Sequence, residues 1–117
     1  MMASVVSNIT EKNENLETYC LIWLDTSVNG SPENIKAQRE LRKSINYLIT
    51  FEDDQQCLQY IQSLSKDDRI ILIVNGRLGY IIVPKIVKYR QIVSIYVYCI
   101  NKPANERWAK QFTKVIY

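Results

Sequence analysis

Apolar positions gather into short unbroken runs separated by polar stretches with helical spacing. Tyr19-Cys20-Leu21-Ile22-Trp23-Leu24 is one such run, ended by Asp25, and the lack of alternation predicts a strand covered on both faces. After the loop from Thr26 to Gly30, Ser31 is placed as a helix N-cap, with Pro32 at the first helical position and Glu33 beside the positive end of the helix dipole. The helix that follows carries Ala37, Leu41, Ser44 and Ile45 on one stripe. Tyr47 to Phe51 is β-rich and predicts a second strand. Within Glu52-Asp53-Asp54 an aspartate caps a helix that buries Cys57, Leu58, Ile61 and Leu64. Arg69 to Val74 reads as the clearest buried strand, broken by Asn75-Gly76-Arg77-Leu78-Gly79. Proline is tolerated only near a first turn, so Pro84 places the start of the next helix at about Val83, to end by Arg90. Ile95 to Ile100 predicts a fourth strand. Pro103 opens a last helix with Trp108, Ala109 and Phe112 facing inward, and Lys114 to Tyr117 begins a fifth strand. Residues 1 to 16 show no periodicity and are expected to form a mobile leader.

Strand-then-helix units in succession require right-handed crossovers and a parallel sheet with helices on both faces. The predicted fold is therefore α/β, a doubly wound parallel sheet of flavodoxin-like order 2-1-3-4-5, with residues 17 to 117 as a single receiver-like domain. Domains of this kind usually close with a helix after strand five. Without that helix, as in a C-terminally truncated chain, apolar surface beside strands four and five is expected to need a partner, a second copy or further chain to cover it.

Composition narrows the chemistry more than the architecture. With 47% hydrophobic and 23% charged residues the 117-residue chain has the make-up of an ordinary globular domain. It contains 0 histidines, which removes Ser/His/Asp and Cys/His hydrolases, His-ligated zinc and histidine pH switches together. Cys20, Cys57 and Cys99 are far apart in apolar or amphipathic segments and are expected to be buried, reduced thiols, neither a metal knuckle nor a disulfide framework. The first ten residues lack a secretory pattern, and no run approaches the roughly 20 apolar residues of a membrane span. A cytoplasmic protein without a membrane partner, a metal or a cofactor is expected. Charge is polarised, with nine acids against five bases up to residue 65 and three acids against ten bases beyond it. A basic second half suits an acidic partner, although solvated helix faces give the same count.

In doubly wound sheets ligands bind at the carboxyl ends of the strands, near the point where strand order reverses. That rule selects Asp25, Thr26 and Ser27, then Glu52 and Asp53, then Asn75, Gly76 and Arg77, and last Asn101 and Lys102. A receiver-type phosphorylation site needs an acceptor carboxylate after strand three, and Asn75 occupies that position, which disfavours phosphotransfer. The Gly76 to Gly79 turn, with Arg77, offers either a phosphate cradle or a plain strand-to-helix turn. Asp25 serves either as a ligand group or as a loop cap. The candidate ligand-binding set is Asp25, Thr26, Asn75, Gly76, Arg77, Gly79 and Lys102. Arg107, Lys110 and Lys114 fall on one side of the last helix and form a candidate partner face, or simply a solvated one. Tyr96 and Tyr98, two apart, share a face of a covered strand, so packing accounts for them better than base stacking and nucleic acid is not the expected partner.

The segments Leu21-Ile-Trp-Leu-Asp25, Phe51-Glu-Asp53, Tyr60 to Ser65, Asp68 to Val74, Gly76-Arg-Leu-Gly79, Ser94 to Cys99 and the Trp108 helix together resemble an N-terminal module of rotifer multidomain proteins. In that family the module precedes tetratricopeptide or arginine-type ADP-ribosyltransferase domains. The resemblance implies an accessory or regulatory domain, and it carries no catalytic role, since the chain has no ExE glutamate pair. Three functions follow as expectations: a non-enzymatic protein-interaction or regulatory module beside an effector domain, a nucleotide- or NAD-binding domain associated with ADP-ribosyl transfer, or a Toll/interleukin-receptor-like assembly domain. A homodimer is compatible with the first and third.

Overall fold

The computed structural model describes residues 2–13, 15–98 and 102–117, apart from the side chain of Lys102. Helix α1 (Met2–Lys12) and a 3-10 turn (Leu16–Thr18) lead into β1 (Cys20–Leu24), α2 (Pro32–Arg42) and β2 (Tyr47–Phe51). Then come α3 (Asp54–Ser63), β3 (Ile70–Asn75), α4 (Gly76–Ile86), β4 (Ile92–Tyr98), α5 (Lys102–Ala109) and β5 (Val115–Ile116). The five strands form one sheet of order β2-β1-β3-β4-β5, and every neighbouring pair is parallel. This is the doubly wound, flavodoxin-like arrangement expected from the sequence. The Cys99, Ile100 and Asn101 assignments lie outside the described residues.

Local signals explain most of the boundaries. The Ser31 hydroxyl accepts from Asn34 N at the head of α2, and the Asp53 carboxylate accepts from Gln56 N at the head of α3. On one face of the sheet Leu21, Trp23, Ile71, Ile73 and Tyr96 pack against Ala37 and Leu41 of α2. On the other, Ile22, Leu24, Leu72, Val74, Ile95 and Val97 meet Cys57 and Ile61 of α3 and Ile82, Val83 and Ile86 of α4. Strands buried on both faces are what an apolar run without alternation requires. Ser44, expected on the inner stripe, lies exposed past the end of α2.

Three expectations are corrected. Within the stretch read as a mobile leader, Met2–Lys12 form α1, which buries Met2, Val5 and Ile9 in the same cluster as Trp23, Ile71, Ile73 and Tyr96. Their i, i+3, i+7 spacing makes one inward stripe, and the polar residues between them face away. Asn13 anchors the end of this segment by donating to Ile9 O at 2.9 Å and to the Tyr96 hydroxyl at 3.1 Å. The chain then turns through Asn15 in the left-handed region, with φ 57°, which asparagine tolerates better than most residues. Consequently the apolar face expected to await a partner is covered by the chain's own first helix, within a cluster against which Tyr98 and Ile116 also pack.

The second correction concerns α4, which begins at Gly76 and not near Val83. Asn75 caps it, its side-chain oxygen accepting from Leu78 N at 2.8 Å. Pro84 sits near the other end, on the exposed side, where the carbonyl it leaves without a helical donor belongs to Tyr80, itself 65% exposed. Third, β4 starts at Ile92, three residues before the expected position. A bulge between the Ile70–Ile92 and Ile71–Ser94 pairs turns Val93 outward and keeps Ile92 and Ile95, three apart, on the same face.

Candidate functional site

The carboxyl ends of the three central strands lie side by side. Leu24 pairs with Val74 and Asn75 with Tyr98, so Asp25, Asn75 and Tyr98 end adjacent strands at one level. A polar chain links two of these ends to the core. Trp23, fully buried, donates its Nε1–H to the Tyr98 hydroxyl at 2.9 Å. Tyr98 in turn donates to Asp25 Oδ2, while Asp25 Oδ1 accepts from Ser27 N at 2.8 Å. The Trp23 and Tyr98 rings meet edge to face with centroids 6.4 Å apart. Burial, and after it the bond to Asp25, push the Tyr98 hydroxyl far above the ordinary tyrosine range, so it stays a neutral donor.

Each oxygen of the buried Asp25 carboxylate therefore already accepts a hydrogen bond, and its visible role is to close the loop after β1 and to hold β4 against it. Thr26 is exposed beside it. Asn75 spends its side-chain oxygen on the α4 cap. Gly76 and Gly79 make room for α5. A Cβ on Gly76 would stand 2.6 Å from Asn105 side-chain atoms, and one on Gly79 would stand 3.0 Å from Trp108 and 3.3 Å from Val74. The Gly76 to Gly79 segment is thus the first turn of a helix under close approach, with Arg77 exposed on its outer side. Lys102 opens α5. Tyr98 joins this site although its sequence position suggested packing only; a tyrosine level with Asn75 on the next strand would have been the signal.

The candidate partner face is divided. Arg107 is exposed, and Lys110 is ion-paired with Glu106 at 2.8 Å. Lys114 donates to Val87 O and Tyr89 O at 2.9 and 3.0 Å, neutralising the carbonyl end of α4 instead of facing outward. A different surface emerges on α4 itself. Arg77, Tyr80, Ile81, Pro84, Lys85 and Lys88 are all exposed, and α4 contains no acidic residue. Placing the helix start at Val83 hid this face, because Arg77, Tyr80 and Ile81 then fell in a turn. From Gly76 onward the same residues are brought onto one side by helical spacing. Tyr80 is braced there by an edge contact with Trp108, centroids 6.0 Å apart.

Of the cysteines, Cys57 is fully buried and its thiol is pushed up to about 12, first by burial and then by Asp54. Cys20 is only half-buried, which corrects the expectation for that residue. Burial and then Asp68 raise its thiol, opposed by a hydrogen bond from Tyr60. The thiolate is the reacting species. Iodoacetamide at mildly alkaline pH is therefore expected to label Cys20 well before Cys57 in the folded protein, as read by peptide mapping, with Cys57 reacting only after denaturant is added. Cys99 lies outside the described residues.

No family model, curated protein or solved structure matches the chain. What stands is the class defined by the sheet: a flavodoxin-like α/β domain.

Proposed function

We propose that the chain is a protein-interaction module whose α4 face docks an acidic, amphipathic segment of a partner or of an effector domain joined to it. The observation that carries this reading is the exposure of Tyr80 (65%) and Ile81 (41%) on a helix whose charged residues, Arg77, Lys85 and Lys88, are all basic when Lys88 just past its end is included. Exposed apolar side chains ringed by one sign of charge favour a partner that supplies apolar anchors and carboxylates together. The likeness to a module that precedes effector domains supports a regulatory role for such docking. A nucleotide-binding reading has less support, because Asp25, Asn75, Gly76 and Gly79 are engaged in holding loop, cap and helix contact.

Titration of a helical peptide of glutamate and leucine tests the proposal. Wild-type protein is expected to bind it with a salt-weakened affinity, and Ile81→Asp and Lys85→Glu each to weaken binding roughly tenfold or more at an unchanged melting temperature. Binding that neither substitution alters would overturn the α4 assignment, as would the absence of binding in the wild type.

A further inference from the structure

A second recess lies at the opposite end of the sheet, among the amino ends of β1, β2 and β3. It is a cleft of about 430 Å³ lined by Tyr19, Tyr47 and Tyr60, with Glu17, Asp67 and Asp68 among its charged residues. Strand register assembles it: Cys20 pairs with Tyr47 on one side and Ile70 on the other, so Tyr19, Tyr47 and Arg69 converge from three strand starts. Tyr60 reaches in from α3, its ring supported by Phe51 with centroids 5.5 Å apart. The three carboxylates face a single cationic lining residue, Arg69, which makes the cleft locally acidic in a chain of net charge +3.

The cleft already holds one cation against an aromatic ring. The Arg69 guanidinium carbon lies 4.4 Å from the centre of the Tyr19 ring, and its Nη donates to the Tyr19 hydroxyl at 2.7 Å. Tyr47, 60% exposed, and Tyr60, half-buried, offer further ring surface to the same space. We infer that this cleft binds an organic cation of the methylated-ammonium class, its charge spread over methyl groups that lie on the Tyr47 and Tyr60 rings while Glu17 and Asp67 supply the counter-charge. Tyrosine faces attract cations through the ring quadrupole, and a methylated ammonium gives up less hydration on entry than a bare one. A metal ion fits less well: among the described residues no three carboxylate or thiol groups converge in a way that would hold one. The inference is independent of the α4 face, which lies on another part of the surface.

Tetramethylammonium chloride titrated into the whole chain, followed through the tyrosine ring resonances, is the direct experiment. Saturable shifts at Tyr47 and Tyr60 are expected, and 3,3-dimethylbutanol, similar in shape but uncharged, is expected to bind at least about tenfold more weakly. Tyr47→Ala and Asp67→Asn, both at exposed positions, should each lower affinity about three- to fivefold without changing the melting temperature. Arg69→Ala removes the competing internal cation and should raise it. Equal binding of the neutral alcohol, a weaker complex in Arg69→Ala, or no saturable shift in the wild type would each overturn the inference.

Discussion

Tyr98→Phe is expected to lower stability by about 3 kcal/mol, and with it the melting temperature by roughly 10 °C. The ring is kept, so its edge contact with Trp23 survives and the loss is polar. Two groups lose their partner at once. The Trp23 Nε1–H, on a side chain that is 0% exposed, has its acceptor removed, and Asp25 Oδ2 loses a donor in a residue that is 7% exposed. An unmet buried donor costs about 1–3 kcal/mol, and a bond to a charged group is worth about 1.5–3 kcal/mol. Urea unfolding checks this; a change below about 1 kcal/mol would show that the chain from Trp23 to Asp25 is dispensable.

The same hydroxyl gives the effect a pH dependence of defined sign. In the unfolded chain Tyr98 titrates near the ordinary value of 10.0, whereas the folded protein holds the proton well beyond it. Above that pH the unfolded state therefore binds fewer protons than the native one, and stability falls as pH rises. The contribution of Tyr98 is full below the ordinary value and is lost as pH climbs toward the raised one. Consequently the gap between wild type and Tyr98→Phe, measured by urea midpoint, should narrow from about pH 10 upward.

Much of the architecture was written in local chemistry. The runs ending at Leu24 and Val74 could be read as strands because burial on both faces demands unbroken apolar sequence, the edge strand ending at Phe51 showed itself by β-rich residues, and Ser31 and Asp53 marked helix starts by their capping side chains. What escaped depended on tertiary context. The α1 stripe is three apolar residues among serines and asparagines, too sparse to distinguish from a leader without the sheet face it seals. Pro84 misplaced α4 because the rule against proline inside helices weakens where the orphaned carbonyl can reach water. Asp25 was legible as a loop cap, yet its partnership with Tyr98 follows from the β4 bulge that fixes register after Val93, and no local pattern encodes that. The amino-end cleft is less legible still, since Tyr19, Tyr47, Tyr60 and Arg69 are separated in sequence and meet only once the strands are aligned.

Ile9→Asp is expected to have the largest effect of all, about 4 kcal/mol or more, because Ile9 is 0% exposed against the Trp23, Ile71 and Tyr96 side of the sheet. Leaving a carboxylate unpaired there costs more than undocking the helix, so α1 should leave the sheet, and the measured loss then equals its docking free energy. That reasoning sets a ceiling. Deleting residues 1 to 13 should cost about as much as Ile9→Asp, whereas Ile9→Ala, which keeps α1 docked over a small cavity, should cost about 2–3 kcal/mol. Both undocked forms should bind a hydrophobic dye and self-associate, since Ile71, Ile73 and Tyr96 lose their cover together with the bond from Asn13 to the Tyr96 hydroxyl. If Ile9→Asp unfolds like the wild type and stays monomeric without binding dye, α1 does not seal the sheet, and the face beside β4 and β5 must be covered by something other than the chain's own first helix.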